Sequence, residues 1–420
     1  MKKFYILVKK EIKELLTIQM IAPLIMVVIV FVFIGKTVGK QVAQTAQSNT
    51  PIAVLDLDNS KSSKNLEDAL KNNHFDITVY QNLSADEAVA RARSDNEKSL
   101  VVIPAGFEQN LNNQKTTPLP IYTIMTNFSF TGSRGSQNLA IALAAINENL
   151  NKKPAEKLLQ EDDYVVIGDR QAHVSPAAIS GYISSQTTFI PIVLFLVIVF
   201  ASQLIVTSIA TEKENKTLET LLSSPVSRRS LVAAKLVGAG LVALLTSAIY
   251  LVGMRSYING ITGSTGGGTN AAIQAAAVQL GLVFNSTDYI LLGLSLFFGI
   301  LVALSIALIL GSFAQDTKSA QGIISPLMLL IMLPYFMIMF LDLNTISPAL
   351  KYLIYIIPFS HPFLAAPNLM LGQYYNIWLG IGYMAILFLI FVIIAARIFA
   401  SDKILTLNLN FKRTKRGNQI

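Results

Sequence analysis

Six long apolar runs set most of what this chain can fold into. They lie at about 18–35, 182–208, 231–254, 288–313, 323–341 and 377–400. Even the shortest reaches about 27 Å as a helix at 1.5 Å per residue, enough to cross a bilayer core. Only 14% of the 420 residues are charged and 52% are hydrophobic, whereas a soluble domain carries about 25% charge. The expected fold class is an α-helical membrane protein with six transmembrane helices. One long polar stretch, 41–181, interrupts it after the first span.

That stretch differs in kind from its surroundings. Strand-like runs at 52–55, 77–80, 100–103 and 119–124 alternate with helix-like runs at 62–72, 84–94 and 132–151, which predicts an inserted α/β domain. Asp56, Asp58, Asn59 and Ser60 follow the first strand. They lack the glycine and the distal glutamate of a calcium loop, so they read as a turn and helix cap. Gly132 and Gly135 do not make a phosphate loop. Residues 255–287 form a glycine-rich loop holding a short helix near the alanines of 271–277. Residues 342–376 carry Pro348, Pro358, Pro362 and Pro367 and read as broken half-helices near the outer face. In the fourth span Ala303, Ala307 and Gly311 recur every four residues, a small-residue face for close helix contact.

Charge gives the orientation. Residues 1–17 place Phe4, Leu7, Val8, Ile12, Leu15 and Leu16 on one face of a helix and five lysines mostly elsewhere, as an interfacial amphipathic helix does. No small-residue cleavage site follows, so a removed signal peptide is not expected. Lysine and arginine also gather at 208–235 and in the tail 401–420, while the two shorter opposite loops offer only Arg255 and Lys351. Both termini and the 208–235 link are therefore expected in the cytoplasm of a plasma-membrane protein, and 41–181 outside. The net charge of +8 sits beside apolar runs, so it reports topology and not nucleic-acid binding.

The link 211–225 is the most distinctive polar segment. Thr211 and Glu214 have capping-box spacing. Leu218, Leu221 and Leu222 would form one apolar stripe on a short helix. Pro225 would end that helix, and Ser227 would cap the next. The run from Glu212 to Ser227, Glu-Lys-Glu-Asn-Lys-Thr-Leu-Glu-Thr-Leu-Leu-Ser-Ser-Pro-Val-Ser, resembles the cytoplasmic coupling segment of ABC-2 type permeases, the membrane subunits of ABC exporters. Two further stretches, the opening Pro51-Ile-Ala-Val-Leu-Asp and Ile357-Pro-Phe-Ser-His-Pro-Phe, resemble other segments of that family. The one-plus-five arrangement of spans around a large outer domain is similar to its sodium-efflux subgroup. The resemblance implies a separate ATPase subunit that carries ATP and magnesium, a second permease copy, and docking through Glu212, Glu214, Thr217, Leu218, Glu219, Leu221, Leu222 and Pro225.

The chain itself shows no catalytic set. It has no Gly-x-x-x-x-Gly-Lys-Ser/Thr loop, no Gly-x-Ser-x-Gly and no His-Glu-x-x-His. With no cysteine, disulfides and thiolate chemistry are excluded. His74, His173 and His361 are far apart, so no metal site and no cofactor of its own is expected. Gln203, Thr207, Thr246, Ser247 and Ser305 offer neutral oxygens for a substrate path, or ordinary helix–helix hydrogen bonds. The span interiors hold no acid, so nothing independent of the resemblance points to sodium. A surface receptor of the phage-attachment kind is the competing reading, and a docking helix at 211–225 argues against it.

Overall fold

The computed structural model describes residues 50–126, 128, 134–150, 158–217, 268–344 and 346–400, together with 32, 36–37, 238, 241, 244–245, 247–250 and 252–253. The expected interfacial helix 1–17, the basic tail 401–420, and most of the spans at 18–35 and 231–254 lie outside the described residues.

The polar insertion is an α/β domain. Its chain order is β1 (Thr50–Asp56), α1 (Lys61–Asn72), β2 (Phe75–Tyr80), α2 (Ala85–Ser94), β3 (Ser99–Ile103), α3 (Phe107–Asn112), β4 (Thr117–Ile124), α4 (Arg134–Leu150), β5 (Leu159–Ile167) and β6 (Arg170–His173). They make one sheet in the order β2-β1-β3-β4-β5-β6. β1 is parallel to β2 and β3, β4 is antiparallel to β3 and parallel to β5, and β6 turns back on β5. Ile52–Leu55 form a continuous apolar run because β1 is covered on both faces. On one face Ile52, Val54, Val101 and Ile121 pack under Leu66 and Leu70 of α1, Phe107 of α3 and Leu139 and Leu143 of α4. On the other, Ala53, Leu55, Leu100 and Val102 pack under Ala88, Val89 and Ala92 of α2. Capping boxes start α1 at Ser60–Ser63 and α2 at Ser84–Glu87.

Asp56 and Asp58 do what the turn-and-cap reading expects. The Asp56 carboxylate accepts from the amides of Asp58 and Asn59 and from the Ser63 hydroxyl. Asp58 accepts from the amides of Gly106, Phe107 and Glu108 at the start of α3. Both carboxylates are taken up by the fold's own donors.

The helical part continues with α5 (Pro176–Glu214), α6 (Gly268–Gln279), α7 (Ser286–Gly311), α8 (Thr317–Ile323), α9 (Ser325–Phe340), α10 (Pro348–Ile356), α11 (Ser360–Met370) and α12 (Tyr374–Ala400). Among the described residues four helical stretches are long and apolar enough to cross a membrane: Leu194–Glu214, Ser286–Gly311, Thr317–Phe340 and Tyr374–Phe399. α10 and α11 meet at 110° and together make a broken span or re-entrant loop. The proline-rich stretch thus forms the broken half-helices its sequence predicts.

Helix α7 is the hub of this part. Its small-residue row meets α5, where a methyl on Gly311 would come within 2.8 Å of Ile209. The row extends one step further than the sequence reading took it. Gly299 faces Pro362 of α11, 3.0 Å from where a methyl would stand.

One local reading is corrected. Thr211 and Glu214 do not start a helix: α5 runs unbroken for 39 residues through Glu214, so Thr211 lies in its last turn and caps nothing. The apolar momentum of the second span carries the helix past the polar start of the link. The polar residues before the next span are helical too, because Asp316 caps α8 with Ser319 in a reciprocal box.

Candidate coupling site

The site is the polar end of α5 and what it touches. Ile209 and Ala210 are buried against α7 and its neighbours, which fixes the three charged residues that follow. The Lys213 ammonium donates to the carbonyl of Ser312, the residue that ends α7, a position where a cation meets the negative end of the helix. The Glu214 carboxylate accepts from the Thr317 amide at 3.1 Å and from the Thr317 hydroxyl at 2.5 Å. Thr317 opens α8, so the anion lies at a positive helix end. Lys213 and Glu214 therefore staple the end of α5 to both ends of the turn between α7 and α8.

Beyond the staple the chain changes direction. Asn215 ends α5 and Lys216 takes φ +55°, a left-handed conformation uncommon for a residue with a side chain. The Thr217 hydroxyl then donates to the Glu212 carbonyl at 3.2 Å. The structure brings together Glu212, Glu214 and Thr217. Leu218, Glu219, Leu221, Leu222 and Pro225 lie outside the described residues.

The path-lining candidates are spoken for in part. Gln203 donates to Thr207 one turn along the same helix at 3.3 Å, and Ser305 bonds back to the Leu301 carbonyl at 2.7 Å. Both are local bonds within one helix. Thr246 lies outside the described residues. Ser247 is buried and its hydroxyl finds no hydrogen-bond partner among the described residues. Gln186, which sequence reasoning missed, is 2% exposed, and its carbonyl oxygen finds no hydrogen-bond partner among the described residues. Its signal was an amide among hydroxyl residues one turn after Tyr182, before the continuously apolar part of α5. Among the described residues no cluster of three or more His, Asp or Glu could hold a metal ion.

The broken pair is held together and locked to α12. The His361 imidazole reaches the carbonyl of Tyr355 at 3.1 Å and the Tyr383 hydroxyl donates to the carbonyl of Ile356 at 2.6 Å. These side chains satisfy carbonyls that the break at Ile357 frees. Gly380 of α12 leaves the space the His361 ring occupies.

A sheet domain followed by four helical stretches long and apolar enough to cross a membrane, with a stapled polar link, defines a helical membrane protein. The profile of the family described as ABC-2 family transporter protein matches residues 13–397. The chain belongs to the ABC-2 transporter family. A crystal structure of a domain assigned to an ABC type-2 transporter from Thermotoga maritima MSB8 is similar to part of it, at 20% identity and TM-score 0.29, covering 32% of this chain and 99% of that one. No curated protein matches the chain.

Proposed function

We propose that this chain is the permease subunit of an ABC exporter, driven by a separate ATPase subunit that binds ATP and magnesium and docks on residues 211–225. Two permease copies would line the path, with both termini and the docking segment in the cytoplasm and the α/β domain outside. The observation that carries the mechanism is the staple: Glu214 to Thr317 and Lys213 to Ser312. A push on the docking segment would reach α5 directly, and through the staple would reach α7, α8 and α9. The leucines Leu218, Leu221 and Leu222 would fill an apolar groove on the ATPase, and Glu212 and Glu219 would set register. The staple occupies the Glu214 carboxylate, so its role becomes transmission more than contact. Sodium is the substrate that the subgroup resemblance implies, and neutral oxygens such as those of Gln186 and Ser247 are the available ligands.

The test is co-purification from mild detergent, comparing wild type with Leu221→Asp. An ATPase subunit is expected with wild type and is lost from the variant, while the variant stays in the membrane. Vesicles containing the pair should move sodium on ATP addition, and Leu221→Asp should abolish this. An ATPase held equally by both proteins would sink the docking assignment.

A further inference from the structure

The outer domain is joined to the membrane helices by more than its two chain connections. Val165, Ile167 and Ala172 of the β5–β6 hairpin belong to the apolar core of α5, α6 and α7. The turn of that hairpin is gripped from above. Arg93, near the end of α2, donates to the Gly168 carbonyl and to the Asp169 carboxylate. The next residue, Arg170, grips below.

Two helices end where the Arg170 guanidinium lies. Gly281 closes α6 in a Schellman motif, with Leu282 N–H to the Ala277 carbonyl at 2.8 Å, Gly281 N–H to Val278 at 3.0 Å, and φ +68°. Gly372 closes α11 the same way, with Gln373 N–H to Asn368 at 2.8 Å, Gly372 N–H to Leu369 at 3.0 Å, and φ +70°. A methyl on Gly281 would overlap the guanidinium, and one on Gly372 would sit 3.7 Å from Nη2. Gly281 is needed twice over, for its backbone angle and for the room it leaves, and Gly372 for its backbone angle. The guanidinium therefore sits by the carbonyl-rich ends of two helices, where a cation is favoured. Its charge also acts on the Tyr374 phenol. Tyr374 begins α12 and donates to the buried Asp288 carboxylate of α7 at 3.0 Å.

We infer that Arg170 is a positioning residue for transport: it couples the outer domain, through Arg93 and the hairpin turn, to the outer ends of α11 and α12. Through it the outer domain and the broken helix pair move as linked bodies. The inference rests on the exporter reading for its purpose, though not for its geometry.

The natural absence of cysteine allows a direct test. Gln373→Cys, an exposed position in the α11–α12 turn, is labelled with a membrane-impermeant maleimide in whole cells. Arg93→Ala, which releases the turn from above, is expected to speed labelling by roughly five-fold or more, the low end of coupling between distant sites. In an Arg170→Ala background the same change should add nothing, and Arg170→Lys should restore part of the response. Gly281→Ala, which displaces the guanidinium without removing it, should behave as Arg170→Ala does. Purely additive effects, or no effect of Arg93→Ala, would overturn the joint. Vanadate trapping of the complex with its ATPase supplies a separate arm. A non-additive cycle with no vanadate response would leave the joint standing and remove the ATPase reading.

Discussion

At the scale of single residues, the α/β domain carries a carboxylate that the described residues do not fully satisfy. Glu97 is 6% exposed, its Oε1 accepts from the Thr78 hydroxyl at 2.8 Å, and its Oε2 has no partner among the described residues. Burial raises its carboxyl above the usual range against the pull of the Thr78 bond, and Asp76 and Asp95 add to the rise. The folded chain thus holds this proton more tightly than the unfolded chain, whose glutamates titrate near about 4.3. Its contribution to stability is complete below that value and falls as pH rises through the folded one. Glu97→Gln should therefore stabilise the domain at pH 7 by about 1 kcal/mol. The gain should vanish below about pH 4, where both forms are neutral. Hydrogen exchange of β3 amides in the full chain, corrected for intrinsic rates, measures both. Equal protection of wild type and variant at pH 7 would refute it.

At the scale of elements, packing depends on where glycine leaves room. A methyl at Gly380 would stand 2.8 Å from the His361 ring, while Gly382, two residues on, faces open space. Gly380→Ala should lower stability by about 1–3 kcal/mol through overpacking, and Gly382→Ala should not. His361→Ala should relieve part of the Gly380→Ala cost, because the two side chains compete for one space. Melting of the detergent-solubilised protein reads all three, and equal shifts for the two alanine variants would exclude the mechanism. The same scale shows what the amino-acid order reveals. The described spans were legible because lipid demands long apolar runs, and the break between α10 and α11 because prolines mark it. β5 was not legible. Its Glu161, Asp162 and Asp163 look wrong for a strand, yet Val165, Val166 and Ile167 at its end are buried. The staple left no local trace either, since Glu214 and Thr317 are 103 residues apart. The docking reading of 211–225 rested on its leucine stripe as well as on family resemblance, and the residues from Leu218 on lie outside the described residues.

At the scale of the whole molecule, the boundary between the two parts does not follow the boundary of the sheet. β1, β2 and β3 fold around their own helices, whereas alternate residues of β5 and β6 pack with α5, α6 and α7. Val166 still faces the α/β domain's own core, so the hairpin belongs to both. Cooperative units follow buried apolar contacts more than sheet membership. Loosening the membrane core near the hairpin should therefore loosen the hairpin. Leu292 of α7 is 1% exposed in that shared core, and Leu292→Ala should cost about 2–5 kcal/mol locally. Amide protection at Val165, Ile167 and Ala172 should fall in this variant, while protection at Val54 of β1 and Val79 of β2 stays at the wild-type level. Exchange measured on the full chain in nanodiscs decides the matter. If the hairpin instead keeps its protection along with β1, the sheet is a self-contained body and the two parts meet only at their surfaces.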